Sequence, residues 1–542
     1  MSYYGGRRVE ESRNGWKIGC GVLTVLGLIA MILLRNWEPV HWFVRDVLYM
    51  NWFAWFMLVV IFVLWIIPFS MENRDDASHW KSSILLSMLL VAWLFVICIA
   101  PDLKGQYLVQ NLQVKKIESP LEVPLNPPRI RYQPMEVAQA FASKTFQSSS
   151  LKLGDPDPID NGQEFVWWMP MIPNGLINSW SRHTEGIKIL SSDGSMREIT
   201  QSMKYGEGNE FGLSVYWQAR IKRYFSKTPE VYYLQVDGEV LTMMPYVRYR
   251  FILPSMIPYW GGVLVFHPDG EIEDLSPKEA RMDPRFVGQR LFPEALAQSI
   301  GYWWGHRNGA WNAVISHNDQ AELPEIKNSA NQLPYLLATN DGPQWFSPLE
   351  PSGKNSEGVF KLLYINAHDG LDNIQIVEYE RQTNLTGPNS AFDFLKSAYP
   401  LVSWTEGGKG TSGSIIALEP RPVFVNGILH WMLTITSNDY TGISWTNMLN
   451  ANDNSIYECT SISQVREFAG GNIASCKMVQ SSQKGNVTTS EQTPTEPGPE
   501  VDIDKMSDKD LTILLKRIAD EFARRASQVK QSIANAFGFE QK

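Results

Sequence analysis

The chain has 542 residues, a formal net charge of −9 and 44% hydrophobic residues, with four cysteines and eight histidines. The length accommodates three or four folded units. No basic stripe accompanies the mild acidity, which excludes nucleic acid as a partner. The few histidines and cysteines show no His-Glu-x-x-His or Cys-x-x-Cys spacing, so the expectation is no metal, no cofactor and no catalytic motif.

Residues 1–17 carry Arg7, Arg8, Arg13 and Lys17 and read as a cytoplasmic N-terminus. Three uncharged runs follow, Ile18–Leu34, Trp52–Phe69 and Ile84–Ala100. As helices they are roughly 26 Å long, and flanking aromatics extend them toward the roughly 30 Å hydrocarbon core. Backbone in lipid must satisfy its own hydrogen bonds, so residues 18–101 are expected to form a membrane segment of three transmembrane helices. Trp16, Trp37, Trp42, Trp52 and Trp55 stand near the run ends, where amphipathic rings favour the interface. The first run could instead be a cleaved signal peptide, but Arg35-Asn36-Trp37-Glu38 follows it in place of a small-x-small site. The basic residues 7, 8, 13, 17, 74 and 81 outweigh Arg35 and Arg45, placing the N-terminus inside. Three spans then put everything after Pro101 outside the cytoplasm.

Residues 102–133 contain Pro120, Pro124, Pro127 and Pro128 and read as an extended stalk. A helix is expected at Pro134–Ser148, with Met135, Val137, Phe141 and Phe146 inward. Residues 134–479 read as an α+β region of antiparallel sheets with packed helices, in two or more units. Asp193-Gly194, Asp237-Gly238, Asp269-Gly270 and Asp369-Gly370 each lie between β-branched and aromatic runs, a hairpin signature, and Asn452-Asp453-Asn454 is a degenerate fifth. Their spacing is too irregular for a solenoid. Ser276-Pro277-Lys278-Glu279 predicts a capping box opening a helix to Met282. Further helices are expected at 293–304 and 391–398.

The strand, Asp-Gly-Glu turn, strand and Ser-Pro-x-Glu-Ala helix of VLVFHPDGEIEDLSPKEA resemble PepSY and cystatin-like modules. Residues 231–240, 263–280, 360–380 and 430–459 carry the likeness, about a third of the chain. The resemblance implies one helix on a curved antiparallel sheet, repeated, and a binding or inhibitory module rather than a catalyst.

Cys20 and Cys98 fall within expected spans, as small apolar fillers. Cys459 and Cys476 are the two in the exported part, and a disulfide between them is expected there. Residues 480–506 are rich in Ser, Thr, Gln, Pro and Glu and read as a disordered linker. Residues 507–538 read as an amphipathic helix whose stripe, Leu511, Leu515, Ile518, Phe522, Val529 and Ile533, wants a partner: another chain, the body, or a bilayer surface.

Two motif matches fail. Gly410–Ser414 lacks the flanks of a nucleophile elbow, and Ser149–Lys152 lacks the companions of a Ser-x-x-Lys site. Asp155, Asp157 and Asp160 alternate as in a calcium loop, but two prolines and a missing glutamate favour a stiff acidic turn. The unusual cluster is Tyr302, Trp303, Trp304, His306 and Arg307, a candidate binding surface for a sugar or peptide, or else a buried helix end with Gly305 as its cap.

The expectation is an integral membrane protein presenting a large extracytosolic, non-enzymatic binding or scaffolding module. Its partners would be the lipid bilayer and other envelope proteins, or itself through the C-terminal helix. An accessory subunit of a transport or secretion complex is the first alternative, although uncharged spans argue against a solute path. A membrane-bound hydrolase with a dispersed site is the second.

Overall fold

The computed structural model describes residues 34–69, 76–124, 129–160, 162–327, 329–352, 358–379, 385–405, 414–440 and 442–480, with Gly27 and Met31. The expected linker and C-terminal helix, including Leu511, Leu515, Ile518, Phe522, Val529 and Ile533, lie outside these residues, as does most of the first apolar run. The chain divides into two compact units. Among the described residues one is Val60–Pro101, and the other holds the rest.

The described chain opens with α1 (Glu38–Trp42), which continues as a π-helical stretch, Phe43–Tyr49. Next come α2 (Trp52–Phe69) and α3 (Asp76–Val109). Among the described residues one helix, Ser87–Val109, is long and apolar enough to cross a membrane. The pair Glu38–Tyr49 and Trp52–Leu64, bent by 64°, passes the same test together. The expectation of three such helices is therefore met by one, or by two if the bent pair counts as a span. Large apolar side chains stand exposed along these helices, among them Phe62, Met88, Val91 and Phe95. The third run does not end at its proline. Pro101 sits inside α3, and the helix runs on because its last turns are packed against the body.

That continuation corrects the stalk expected over 102–133. Leu108 and Val109 are core residues, and β1 (Lys115–Ile117) pairs in parallel with the strand Gly370–Glu378. Ile130 and Tyr132 are buried. The apolar residues of the segment anchor it to the sheets.

The body is α+β, with several antiparallel sheets and packed helices. Helix α4 (Met135–Thr145) lays Ala138 and Ala142 on Trp167 and Met169 of the first sheet. That sheet contains β2 (Leu151–Leu153), β3 (Asp157–Asp160), β4 (Phe165–Pro173), β5 (Thr184–Leu190) and β6 (Met196–Met203). Between β4 and β5 lies α5 (Leu176–Ser181), and after β6 comes α6 (Val215–Lys222), capped by the Ser214 hydroxyl. A second sheet is a meander of β7 (Tyr232–Val236), β8 (Glu239–Ile252), β9 (Ser255–Phe266) and β10 (Ile272–Leu275). It shares one core with the first, Trp168 and Ile189 packing with Tyr233, Met243 and Val265. Helix α7 (Pro277–Met282) has the complete capping box at Ser276 and Glu279, and α8 (Glu294–Tyr302) follows.

The third sheet takes β11 (Ala321–Glu322), β12 (Tyr335–Thr339) and β13 (Gly342–Pro351), skips the small strand β14 (Gly358–Val359), and adds β15 (Lys361–Asn366) and β16 (Gly370–Glu378). Its order is β1-β16-β15-β13-β11, with β12 also on β13. Strand β17 (Leu385–Thr386) pairs with β14, and α9 (Pro388–Ala398) then leads into a meander of β18 (Ile415–Val425), β19 (Ile428–Ser437), β20 (Ile443–Asn450), β21 (Ile456–Cys459) and β22 (Lys477–Gln480). Helix α10 (Ile462–Ala469) bridges the last two strands. All five predicted turns join paired strands: β5–β6, β7–β8, β9–β10, β15–β16 and β20–β21. At β7–β8 both turn residues have positive φ, Asp237 at 50° and Gly238 at 87°, the conformation a tight two-residue hairpin demands.

Candidate functional site

The segments flanking the apolar helices are both built into the body. Ahead of α2, the Arg220 guanidinium donates to the Asn36 carbonyl at 2.9 Å and the Tyr224 hydroxyl to the Arg35 carbonyl at 3.0 Å. His41 Nε2 meets the Tyr224 carbonyl at 2.6 Å, with the two rings edge to face. Residues 34–42 are thereby clamped to the end of α6.

After α3 the arrangement is a socket, and its walls are the residues singled out as a candidate binding surface. His306 Nε2 lies 2.8 Å from Oδ1 of Asp102, which is 3% exposed. The Trp303 ring lies flat against Gly105. A Cβ there would come within 2.2 Å of Trp303 Cε3. Arg307 donates to the carbonyls of Val109 at 3.4 Å and Leu112 at 3.1 Å, placing a cation at the C-terminal end of α3, and its guanidinium lies over the Trp304 ring. Trp304 is buried with Leu108, Val109 and Ile300. Only Tyr302 of the five faces solvent, at 64% exposure. What the sequence could not show is that the aromatic and cationic groups are spent on the chain's own helix.

Gly105→Ala tests the socket. Alanine gains about 1 kcal/mol of helix propensity, whereas forcing a methyl into a packed contact costs about 1–3 kcal/mol. The steric term is expected to win, lowering the melting temperature in detergent, and Gly105→Ala with Trp303→Leu is expected to recover part of the loss. Equal melts for Gly105→Ala and the parent would show that the ring does not pack there.

A second polar arrangement carried no sequence signal, because its members are scattered along the chain. Arg290, 6% exposed, donates to Asp157 at 2.6 Å, and its guanidinium lies 4.3 Å from the Tyr232 ring centre. The Tyr232 hydroxyl donates to the Arg290 carbonyl. Glu230 accepts from the Glu294 amide at 2.8 Å, and Glu207 accepts from Tyr233 at 2.9 Å and Tyr216 at 3.2 Å. Burial pushes Glu207 up to about 8, and burial also raises Glu230 and Glu294, the Glu294 charge adding to the effect on Glu230. Asp157, Glu207 and Glu230 each accept from a protein donor, so the cluster ties β3, the 207 loop, the start of β7 and the start of α8 together. The acidic turn is likewise spent on arginines, Asp160 accepting from Arg129 at 3.0 Å. Among the described residues no group of three or more His, Cys, Asp or Glu could hold a metal ion.

The raised glutamate sets a direction for pH. Between its ordinary 4.5 and about 8, Glu207 binds more proton in the folded than in the unfolded chain. Folding stability therefore falls as pH rises through that window. Melts are expected to be higher at about pH 5.5 than at about pH 8.5, and Glu207→Gln is expected to flatten the difference. A melt that rises with pH in the parent would refute this.

The predicted disulfide is present, joining Cys459 at the end of β21 to Cys476 just before β22 across a separation of 17 residues. It lies in a core with Tyr132, Val465 and Phe468. Beside it opens a crevice of about 180 Å³ lined by Tyr132, Ile443, Trp445, Thr446, Ile462 and Val465 among others.

No family model matches the chain, and no curated protein matches it. Among solved structures, a glycosyl hydrolase from Bacteroides ovatus is similar at 13% identity over 62% of this chain and 79% of that one, with a TM-score of 0.17. A likeness of that size carries no argument about fold or activity. The PepSY and cystatin resemblance gains no support from these comparisons.

Proposed function

We propose that this chain is an integral membrane protein whose apolar helices anchor a large, non-enzymatic α+β body on the extracytosolic side, where it binds or scaffolds other envelope proteins. The observation that carries the reading is the double attachment of the body. Residues 34–42 ahead of α2 and residues 102–112 at the end of α3 both pack into it. Two successive helices whose outer ends both belong to one body form a hairpin that enters and leaves the bilayer on that body's side. The first apolar run, crossing once more, would put the basic N-terminus on the opposite, cytoplasmic face. The disulfide supports the same side, since such bonds persist in oxidising compartments. The internal contacts of Trp303, Trp304, His306 and Arg307, and of the buried carboxyls of Glu207 and Glu230, support a structural body rather than a catalyst. Assembly through the C-terminal helix belongs to the same proposal.

Sidedness tests it. Sealed cells or vesicles are treated with protease and with a membrane-impermeant thiol reagent, with and without reductant. The reading expects cleavage of the body from outside, and labelling of Cys459 and Cys476 only after reduction and unfolding. Protection of the body, with both thiols free once the membrane is opened, would invert the topology.

A further inference from the structure

The β8–β9 hairpin ends in an apolar tip that is not folded back into the body. Phe251 is 40% and Leu253 59% exposed, while Met256 and Ile257 just beyond are buried. A tip of this kind at the edge of a sheet normally carries polar turn residues. The tip does have neighbours, and they are the first residues of an apolar helix. The Phe251 ring centre lies 4.7 Å from that of Trp52 and 5.8 Å from that of Phe53, both at the start of α2. Trp52 and Trp55 are themselves exposed, and so is Phe225, which packs on Tyr49. Behind the apolar tip, Arg248 and Arg250 are exposed on β8, and among the described residues neither has an ion-pair partner. Arg248 instead lies over the Tyr259 ring across the hairpin.

We infer that this hairpin is a second, non-spanning contact with the bilayer, its tip inserted at the level of Trp52 and its arginines taking the phosphates of anionic lipid headgroups. The inference rests on the proposal that α2 enters the membrane. If it does, Trp52 marks the interface, and Phe251, in ring contact with Trp52, sits at the same depth. Aromatic and aliphatic groups at the tip with arginines one and three residues before Phe251 is the order that the interface selects, apolar groups toward the acyl chains and cations at the headgroups.

The test uses the full chain with Cys20 and Cys98 replaced by alanine, and Leu253→Cys carrying an environment-sensitive fluorophore. The disulfide stays intact and its sulfurs are buried. The protein is reconstituted into phosphatidylcholine vesicles with and without phosphatidylglycerol, and Leu401→Cys, at a site 98% exposed, serves as the aqueous control. The expected result is a blue-shifted label at 253, quenched by lipid spin-labelled near the headgroup and shielded from aqueous iodide, with 401 showing the reverse. Adding phosphatidylglycerol is expected to strengthen the lipid quenching, and Arg248→Gln with Arg250→Gln to remove that increment. Iodide quenching at 253 equal to that at 401 would overturn the inference. So would shielding from iodide without quenching by labelled lipid, which would mean that protein covers the tip. Flotation separates the two failures: a chain that does not float with the vesicles refutes the membrane anchor itself, whereas one that floats with an aqueous tip refutes only the hairpin contact.

Discussion

Replacing Glu419 by alanine is expected to cost about 3–5 kcal/mol, the loss typical of breaking one partner out of a buried ion pair. Glu419 is wholly buried in β18, at the irregularity in its pairing with β19, and it holds positive φ there. Its carboxylate accepts from Arg131 at 3.0 Å and from the Met135 amide at 3.3 Å, with Arg421 Nε 3.8 Å away. Arg421 donates to the Arg131 carbonyl at 3.0 Å and to the Thr434 hydroxyl. The Arg131 guanidinium lies within 5.4 Å of the centres of both the Trp167 and Tyr335 rings. One carboxylate is thus shared between two guanidiniums, at the place where the segment before α4, the first sheet and the last sheet meet. Without it, two desolvated cations face each other, and burial already holds Arg421 down to about 10. For a body of this size the melt is expected to fall on the order of 10 °C. Adding Arg131→Met to Glu419→Ala is expected to recover stability, because it removes a charge left without a counter-ion. A melt for Glu419→Ala within about 2 °C of the parent would show that water or a neighbouring group supplies the missing charge.

Removing the disulfide, by Cys459→Ala with Cys476→Ala, is expected to cost about 3 kcal/mol. The bond closes a loop containing α10, whose apolar face, Val465 and Phe468, completes the core around the sulfurs. In the unfolded chain that loop is free to open, and the cross-link removes that freedom. Alanine rather than serine keeps the test to loop closure, since a hydroxyl in this core would add a desolvation cost of its own. The parent in reductant is expected to match the double variant once the buried sulfurs have been exposed by heating. A parent whose melt ignores reductant, with both thiols alkylated from the start, would show that the bond does not form in the cell.

The legible parts of this protein are those whose cause lies within a few residues. Asp237-Gly238 turns the chain because its two residues tolerate positive φ, and Ser276 caps a helix because Glu279 is three residues on. The disulfide was legible by elimination, as the two remaining cysteines lie within expected spans. The apolar runs 52–69 and 84–100 were legible as helices, since an uncharged run that long has few other ways to satisfy its backbone.

The misread parts are those decided by distant residues. The end of the third run was placed at Pro101 by a local rule, but Trp303, His306 and Arg307, some two hundred positions away, reward the helix for continuing to Val109. The Pro-rich segment looked like a spacer because prolines dominate its composition. Its inward anchors, Ile130 and Tyr132, are two isolated apolar residues with no periodicity to announce them. Asp157, Glu207, Glu230, Arg290 and Glu294 carry no mark of burial in their own neighbourhoods. By itself, then, the sequence determined the five hairpin turns, the Ser276 cap and the cysteine pair, because turn chemistry and chain-local hydrogen bonds act over one to four residues. Only the tertiary structure decided which polar and aromatic groups are spent internally and which remain free, because a side chain's burial and partners depend on chain segments that nothing in its own vicinity specifies.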